Sequence, residues 1–216
     1  MPPTPTNKPH LISVNHPKQA RSQQTLDRLL DAAEAQIIEQ GYDAVTIASI
    51  ARAAKSSVGG FYARFRDKEE VLRALHERLL RELEEVVSEL SAPEQWEGTP
   101  LSVMVRGLLR ELLDRIHYRR RLMAAFVASA TIHPDRWRDA LAFRARVVEQ
   151  IGALLLTRRE EMRHPDPERA LQLAIQMVLA IADQHALLGL RSGTEPIEDD
   201  ELVTELQRMT MAYLGA

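Results

Sequence analysis

An all-α fold is predicted by three features of this 216-residue chain. Apolar residues recur at three- and four-residue intervals through nearly every segment, the period of a helix with one buried side. Aromatic residues make up only 5% of the chain, and clusters of β-branched residues that would favour strands are sparse. Caps and breakers such as Gly41, Thr99-Pro100 and Asp166-Pro167 punctuate the periodic segments at helical lengths. The expected architecture is an N-terminal three-helix domain, joined by a long helix to a larger helical bundle. About nine helices are expected, and no strand is supported by the pattern.

Residues 1–17 hold five prolines without periodicity and read as a flexible arm. Leu26, Leu29, Leu30, Ala33, Ile37 and Ile38 mark a first helix, stopped by Gly41. Thr46 is placed to cap a short helix whose inward side is Ile47, Ile50, Ala51 and Ala54. Lys55-Ser56-Ser57 interrupts it, and Ser57 is placed to cap a second short helix carrying Val58, Phe61, Tyr62 and Phe65. Asp67 and Glu70 have capping-box spacing and open a helix reaching about Leu90. At 1.5 Å per residue that helix spans roughly 36 Å. Ser91 to Pro100 is the boundary loop. Beyond it, helices are expected over Leu101 to about Ile116, Arg119 to Ala130 and Pro134 to Leu155. Two more run from Pro167 to Leu190, ended by Gly193, and from about Glu198 to Tyr213. The expected divisions are an arm at 1–17, a three-helix domain at 18–66, a connecting helix at 67–90 and a second domain at 91–216.

Two short helices over a tight turn make a helix-turn-helix, whose second helix fits a DNA major groove. Charge is distributed accordingly. Residues 1–68 carry nine Lys/Arg against six Asp/Glu, a balance of +3, whereas the remaining 19 basic and 25 acidic residues give −6. With no cysteine, disulfide scaffolds and thiolate metal sites are excluded, which fits a reducing compartment. No apolar run approaches the ~20 residues of a membrane span, and the N-terminus lacks the apolar stretch of a signal peptide. A cytoplasmic protein without a membrane partner is expected. The seven histidines show no HxxxH or HExxH spacing, Ser57 to Gly60 lacks the Gly-Lys-Ser/Thr ending of a phosphate loop, and no Gly-x-Ser-x-Gly elbow occurs. No catalytic residue, metal site or cofactor is expected.

Gly41-Tyr42, Thr46, Ile50-Ala51, Ala54, Ser57, Gly59, Phe61-Tyr62, Phe65 and Lys68-Glu69 stand in the register of a known signature. Over about residues 20–75 the chain resembles the N-terminal domain of the TetR family of bacterial transcriptional regulators. Two positions depart from that pattern. Lys55 stands where the family usually has a turn glycine, and Ser56 where it usually has a small apolar residue. Only glycine adopts a positive φ cheaply, which puts the geometry of this turn in question.

The resemblance implies a homodimeric, ligand-responsive regulator, most directly a repressor, released from a palindromic double-stranded operator by a small-molecule effector. In its register Lys68, Tyr62 and Thr46 are phosphate candidates. Lys68 also wants a reason of its own, because a cation at a helix start opposes the dipole. Base readers are expected on the exposed side of the second short helix, at Val58, Gly59, Gly60, Ala63 and Arg64, with Lys55 and Ser57 beside them. Arg64 is the only long donor among them, able to fork onto guanine or simply to grip phosphate. Gly59-Gly60 costs roughly 1 kcal/mol per glycine in a helix interior; first-turn positions mute that cost, and close approach of backbone amides to DNA would explain it. Lys18 and Arg21 are readable as phosphate or minor-groove contacts and equally as solvated charges.

The resemblance further implies that the last two helices pair with their two-fold mates in a four-helix bundle. Leu171, Ile175, Val178, Ile181, His185, Leu206, Met209 and Tyr213 are the interface candidates, on apolar faces wider than a monomer needs. The preceding helices would enclose a ligand pocket. Its candidate lining is Met104, Leu108, His117, Met123, Phe126, Trp137 and Phe143, with Gln176 and Asp183 as polar members, and each is equally readable as core or solvated surface. Two other readings stay open: a regulator without an effector, controlled by a protein partner, and an all-helical enzyme or carrier with an incidental helix-turn-helix.

Overall fold

The computed structural model describes residues 20–132, 135–188, 191–192 and 195–216, with the side chains of residues 20–22, 131–137 and 191–192 excepted. The expected arm at 1–17, Lys18, the side chains of Arg21 and Trp137, and the Gly193 stop lie outside the described residues. Within them are eight α-helices: α1 (Ala20–Gln40), α2 (Ile47–Ala53), α3 (Val58–Tyr62), α4 (Lys68–Leu90), α5 (Leu101–Ile132), α6 (Asp135–Leu156), α7 (Pro167–Leu188) and α8 (Asp199–Leu214). They fall into two compact units, one ending at Leu79 and the other running from Leu80 to Ala216. Helix α4 therefore contributes to both.

Two expectations are corrected. The helices expected over 101–116 and 119–130 are one continuous helix, α5. His117-Tyr118 interrupts the apolar period but brings neither Gly nor Pro, so nothing breaks the backbone. A two-residue antiparallel ladder, β1 (Arg191–Ser192) with β2 (Glu195–Pro196), precedes α8. Two residues are too few for an alternating pattern to show.

In the first unit Leu26, Leu29, Leu30 and Ile37 of α1 are fully buried, together with Ile50, Phe61, Phe65 and Leu72. The caps form as the sequence predicts. Thr46 Oγ1 accepts from the Ser49 amide and Ser49 Oγ accepts from the Thr46 amide, both at 3.1 Å. The Ser49 hydroxyl also donates to Gln36 Oε1 at 2.6 Å, tying α2 to α1. Asp67 Oδ1 accepts from the Glu70 amide at 2.8 Å, whereas the Glu70 carboxylate reaches back to the Arg66 amide rather than to that of Asp67.

Helix α4 is fastened to the rest of this unit by two cations. Arg78 pairs with Asp31 at 2.6 Å and with Glu34, both on α1. Burial disfavours the Arg78 charge, but the hydrogen bonds and charges of Asp31 and Glu34 outweigh it and hold the guanidinium pKa above its ordinary value. At the first residue of α4, Lys68 Nζ donates to the carbonyls of Tyr42 at 2.9 Å and Val45 at 3.0 Å. It also lies 4.1 Å from the centre of the Tyr42 ring, within cation–π range. The Tyr42 hydroxyl bonds in turn to the Glu69 carboxylate.

In the second unit α5 packs against α6, α7 and α8, and α7 packs against α6 and α8. Leu101, Met104, Leu113, Leu171, Ala182, Val203, Leu206 and Leu214 are core residues there. Asp166 Oδ1 accepts from the Arg169 amide at 3.1 Å and caps α7. The start of α5 is satisfied from a distance: Glu161 accepts from the Leu101 amide at 3.0 Å. Arg158 meanwhile donates to the carbonyls of Thr99 at 2.9 Å and Trp96 at 2.6 Å.

Replacing Lys68 by Met keeps most of the packing volume and strands two carbonyls. Hydrogen bonds from a charged donor are worth about 1.5–3 kcal/mol, so Lys68→Met is expected to lose roughly 2 kcal/mol of stability. Urea denaturation followed by circular dichroism measures this, and an unchanged midpoint would remove the structural role.

Candidate functional site

The α2–α3 turn keeps its tight form although it contains no glycine. Lys55 takes φ of +52°, the left-handed region. The Ser56 amide bonds to the Ala51 carbonyl at 2.8 Å and the Lys55 amide to the Arg52 carbonyl at 3.1 Å. These two bonds are a Schellman ending, with Lys55 at the position glycine normally fills. A side chain there costs about 1–2 kcal/mol, so the turn is imposed by the surrounding packing rather than by local preference.

Ser57 opens α3, its hydroxyl accepting from the Gly60 amide at 2.9 Å. The helix is only five residues long and is anchored by side chains. Phe61 and Phe65 are 0% exposed with ring centres 5.5 Å apart. The opposite side is bare: Val58 is 45% and Tyr62 55% exposed, the two large apolar residues of this unit left in solvent among those described. Lys55, Ser57, Gly59, Ala63 and Thr46 are exposed around them.

The two glycines differ in cause. A Cβ on Gly60 would come within 2.5 Å of Ser56 Oγ and 3.3 Å of the capping Ser57 Oγ, so a side chain there would require those hydroxyls to shift. A Cβ on Gly59 would meet nothing closer than Ser57 Oγ at 3.8 Å, an ordinary contact. The fold does not ask for glycine at Gly59; a close-approaching partner would.

Two expected contacts take other places. Arg64 lies beyond the end of α3, half-buried, with Nη1 donating to the Gly60 carbonyl at 3.0 Å. It serves as a cap for its own helix rather than standing on the reading face, because α3 ends two residues earlier than its side chain would need. Lys68 spends two of its three donors on the Tyr42 and Val45 carbonyls, so the cation at the helix start has its reason inside the protein. A further exposed cation stands beside them: Arg52, in the last turn of α2 and two residues from Ala54. Its place on the polar side of a helix whose inward residues are Ile47, Ile50 and Ala51 is the available signal.

The second unit contains an apolar cavity of about 150 Å³. Leu83 and Val86 of α4 face it, as do Leu108 and Leu112 of α5, and Phe143 and Val147 of α6. Helix α7 supplies Leu171, Ile175 and Val178, and α8 supplies Thr210. Of the residues expected to line a pocket, Leu108 and Phe143 do. Met104 is core, and Met123 and Phe126 lie elsewhere on α5. Gln176 is exposed, and Asp183 pairs with Arg144. His117 turns outward to Asp199, its Nδ1 2.7 Å from Oδ2, and His185 Nε2 lies 2.8 Å from Oδ1 of the same carboxylate.

The interface residues are redistributed by the same packing. Leu171 and Leu206 are 1% and 2% exposed, so neither can meet a second chain. Ile175 and Val178 point to the cavity, Ile181 is half-buried, and His185 is held by Asp199. The outward apolar residues are Leu173, Met177 and Leu188 of α7 with Met209 and Tyr213 of α8.

Two outcomes follow for the reading face. Lys55→Gly removes the left-handed strain but gives the unfolded chain more freedom, and is expected to stabilise by about 0.5–1 kcal/mol in urea denaturation. Gly59→Ala is expected to raise helix stability by up to about 1 kcal/mol while weakening DNA binding, read by melting temperature and by titration of labelled DNA. A variant that binds DNA as tightly as the parent would dissociate Gly59 from the interface.

Comparison with known proteins agrees with this arrangement. The profile of bacterial regulatory proteins of the tetR family matches residues 29–75, and that of the tetracyclin repressor-like C-terminal domain matches residues 100–214. No curated protein sequence matches the chain. Among solved structures, a Mesorhizobium loti protein described as a TetR-family transcriptional regulator is 22% identical. The match covers 91% of this chain and 98% of that one, with a TM-score of 0.69. A transcriptional regulator from Rhodococcus sp. Rha1 is 19% identical over 88% of this chain and 96% of its own, with a TM-score of 0.65. A TetR/AcrR-family regulator from Thermobifida fusca is 20% identical over 89% and 97%, with a TM-score of 0.64. At these identities the solved structures speak for the fold, and the C-terminal profile alone spans more than half of the sequence. The chain belongs to the TetR family of transcriptional regulators, with an N-terminal DNA-binding helix-turn-helix domain.

Proposed function

We propose that this chain is a homodimeric repressor, acting in the cytoplasm, that leaves a palindromic operator when a small molecule occupies the cavity of its second unit. The observation that carries the DNA half is the solvent face of α3, where Val58, Gly59 and Tyr62 stand bare and Gly59 has no packing reason to be glycine. Tyr62, Thr46 and Arg52 are the phosphate contacts in this reading, and Val58, Gly59 and Ala63 face base edges. Lys68 contributes its remaining donor and, more importantly, the position of the loop ahead of Thr46.

The cavity favours a small molecule over a protein partner as the signal, since a body packed solid would leave an effector nowhere to bind. Its walls include α4, which also belongs to the first unit. An effector that prefers one placement of α4 would shift the population of dimers whose reading helices stand about 34–36 Å apart, the spacing of successive major grooves.

The dimer reading rests on α7. By length and composition it is apolar enough to cross a membrane, and its inward face accounts for only part of that character. Leu173, Met177 and Leu188 remain outside. Pairing them with Met209 and Tyr213 of a two-fold mate would remove an exposed patch of the kind soluble monomers seldom keep.

Selection of bound genomic fragments with purified protein tests the DNA assignment; recovery of no palindromic site would overturn it. Met177→Asp is expected to give monomers and to cost at least tenfold in operator affinity, a difference of about 1.4 kcal/mol. Sedimentation of a monomeric parent at micromolar concentration, or of a fully dimeric variant, would move the interface elsewhere.

A further inference from the structure

We infer that the cavity of the second unit takes an uncharged, largely hydrocarbon molecule of about one ring, carrying a single hydrogen-bonding group that meets Thr210. This inference rests on the reading of that cavity as the effector site and adds the chemistry of the occupant.

Size comes first. At about 150 Å³ the space matches apolar cavities in other proteins that stay dry and admit benzene. It is smaller than the ~300–1,000 Å³ of sites for larger ligands. Apart from one ion pair the walls supply no attraction for a charge: Leu108, Leu112, Phe143, Val147, Ile175 and Val178 are representative of them. Moving a carboxylate or ammonium against such walls without a partner is costly enough that the ion would neutralise or stay out.

The lining includes one charged pair, Glu111 and Arg115 on successive turns of α5. They bond to each other, and with side chains 36% and 40% exposed they keep access to solvent. The pair is neutral as a whole, so an anionic ligand would have to take Arg115 away from Glu111 and leave a carboxylate uncompensated.

Thr210 is different. It is 9% exposed, lines the cavity, and its hydroxyl makes no side-chain hydrogen bond among the described residues. Its oxygen is not one of the sealed side-chain atoms left without a partner, so it keeps a little open surface and has room for a hydrogen bond from the cavity side. Here a ligand hydroxyl, carbonyl or ester oxygen would provide it, fixing the orientation of a body otherwise held by shape.

Benzyl alcohol, toluene and benzoate test the assignment on the full-length protein at neutral pH, by calorimetry and by shift of melting temperature. Benzyl alcohol is expected to bind on the order of 100-fold more tightly than benzoate, and about three- to tenfold more tightly than toluene. Thr210→Val, which preserves volume, should leave toluene binding unchanged and remove the preference for the alcohol. Val178→Phe, which fills the space, should abolish binding of both neutral probes.

Benzoate binding as tightly as benzyl alcohol would overturn the inference, as would absence of binding by either neutral probe. A Thr210→Val protein that still prefers the alcohol would overturn the role of the hydroxyl. The parent reading fails differently. A metabolite extract that releases Val178→Phe from operator DNA as readily as the unaltered protein would remove the cavity from signalling, whatever its chemical preference.

Discussion

The loop between α1 and α2 turns two carbonyls, those of Tyr42 and Val45, towards the interior, where water does not reach them freely. Lys68 Nζ meets both and rests on the Tyr42 ring. Because Lys68 is the first residue of α4 and Val45 immediately precedes the cap of α2, one ammonium group sets the distance between those helix starts. Everything downstream inherits that setting. Thr46 caps α2, α2 ends in the strained Lys55 turn, and Ser57 then launches α3 at the angle the turn dictates. Were the loop free to drift, the left-handed Lys55 would relax and the face of α3 would lose its direction. Local preference opposes the charge at Lys68 and the backbone at Lys55 alike; long-range contacts override both.

The sequence announced this part of the molecule well because its signals are short-range. A cap and the residue it caps lie within four positions, so Thr46, Ser57 and Asp166 could be placed from neighbours alone. The helix-turn-helix was legible for the same reason, being three such signals in succession. Long-range partners leave no such signal in the chain. Nothing near Lys68 hints at carbonyls 23 and 26 residues earlier, and nothing near Leu101 hints at Glu161. The bond from Arg64 back to the Gly60 carbonyl depends on a smaller matter: α3 stops at Tyr62, and where a short helix stops decides whether such a side chain lies along it or folds over its end.

The second unit illustrates the limit of periodicity. In α7 the apolar residues Leu171, Ile175, Val178, Leu173 and Met177 surround more than half of the helix, so the pattern announces two buried faces without saying which partner covers each. The structure turns Leu171, Ile175 and Val178 to the cavity and leaves Leu173 and Met177 outside. Only a tertiary arrangement separates these sets. His117 and His185, read as pocket and interface members, converge instead on one carboxylate at the start of α8, a meeting of three helices that no window of sequence contains.

The division of labour on α3 has an evolutionary corollary. Its burial is carried by Phe61 with Phe65 just beyond it, and its cap by Ser57, while Val58, Gly59, Tyr62 and Ala63 are exposed, Tyr62 with its ring edge-to-face on Phe61. In the proposed reading, changes at those four positions leave the buried side of the helix intact, and selection on operator choice can act there without a large cost in stability. A duplicated copy of such a gene could acquire a new target site by a handful of surface substitutions while the scaffold, the loop lock and the body stay as they are.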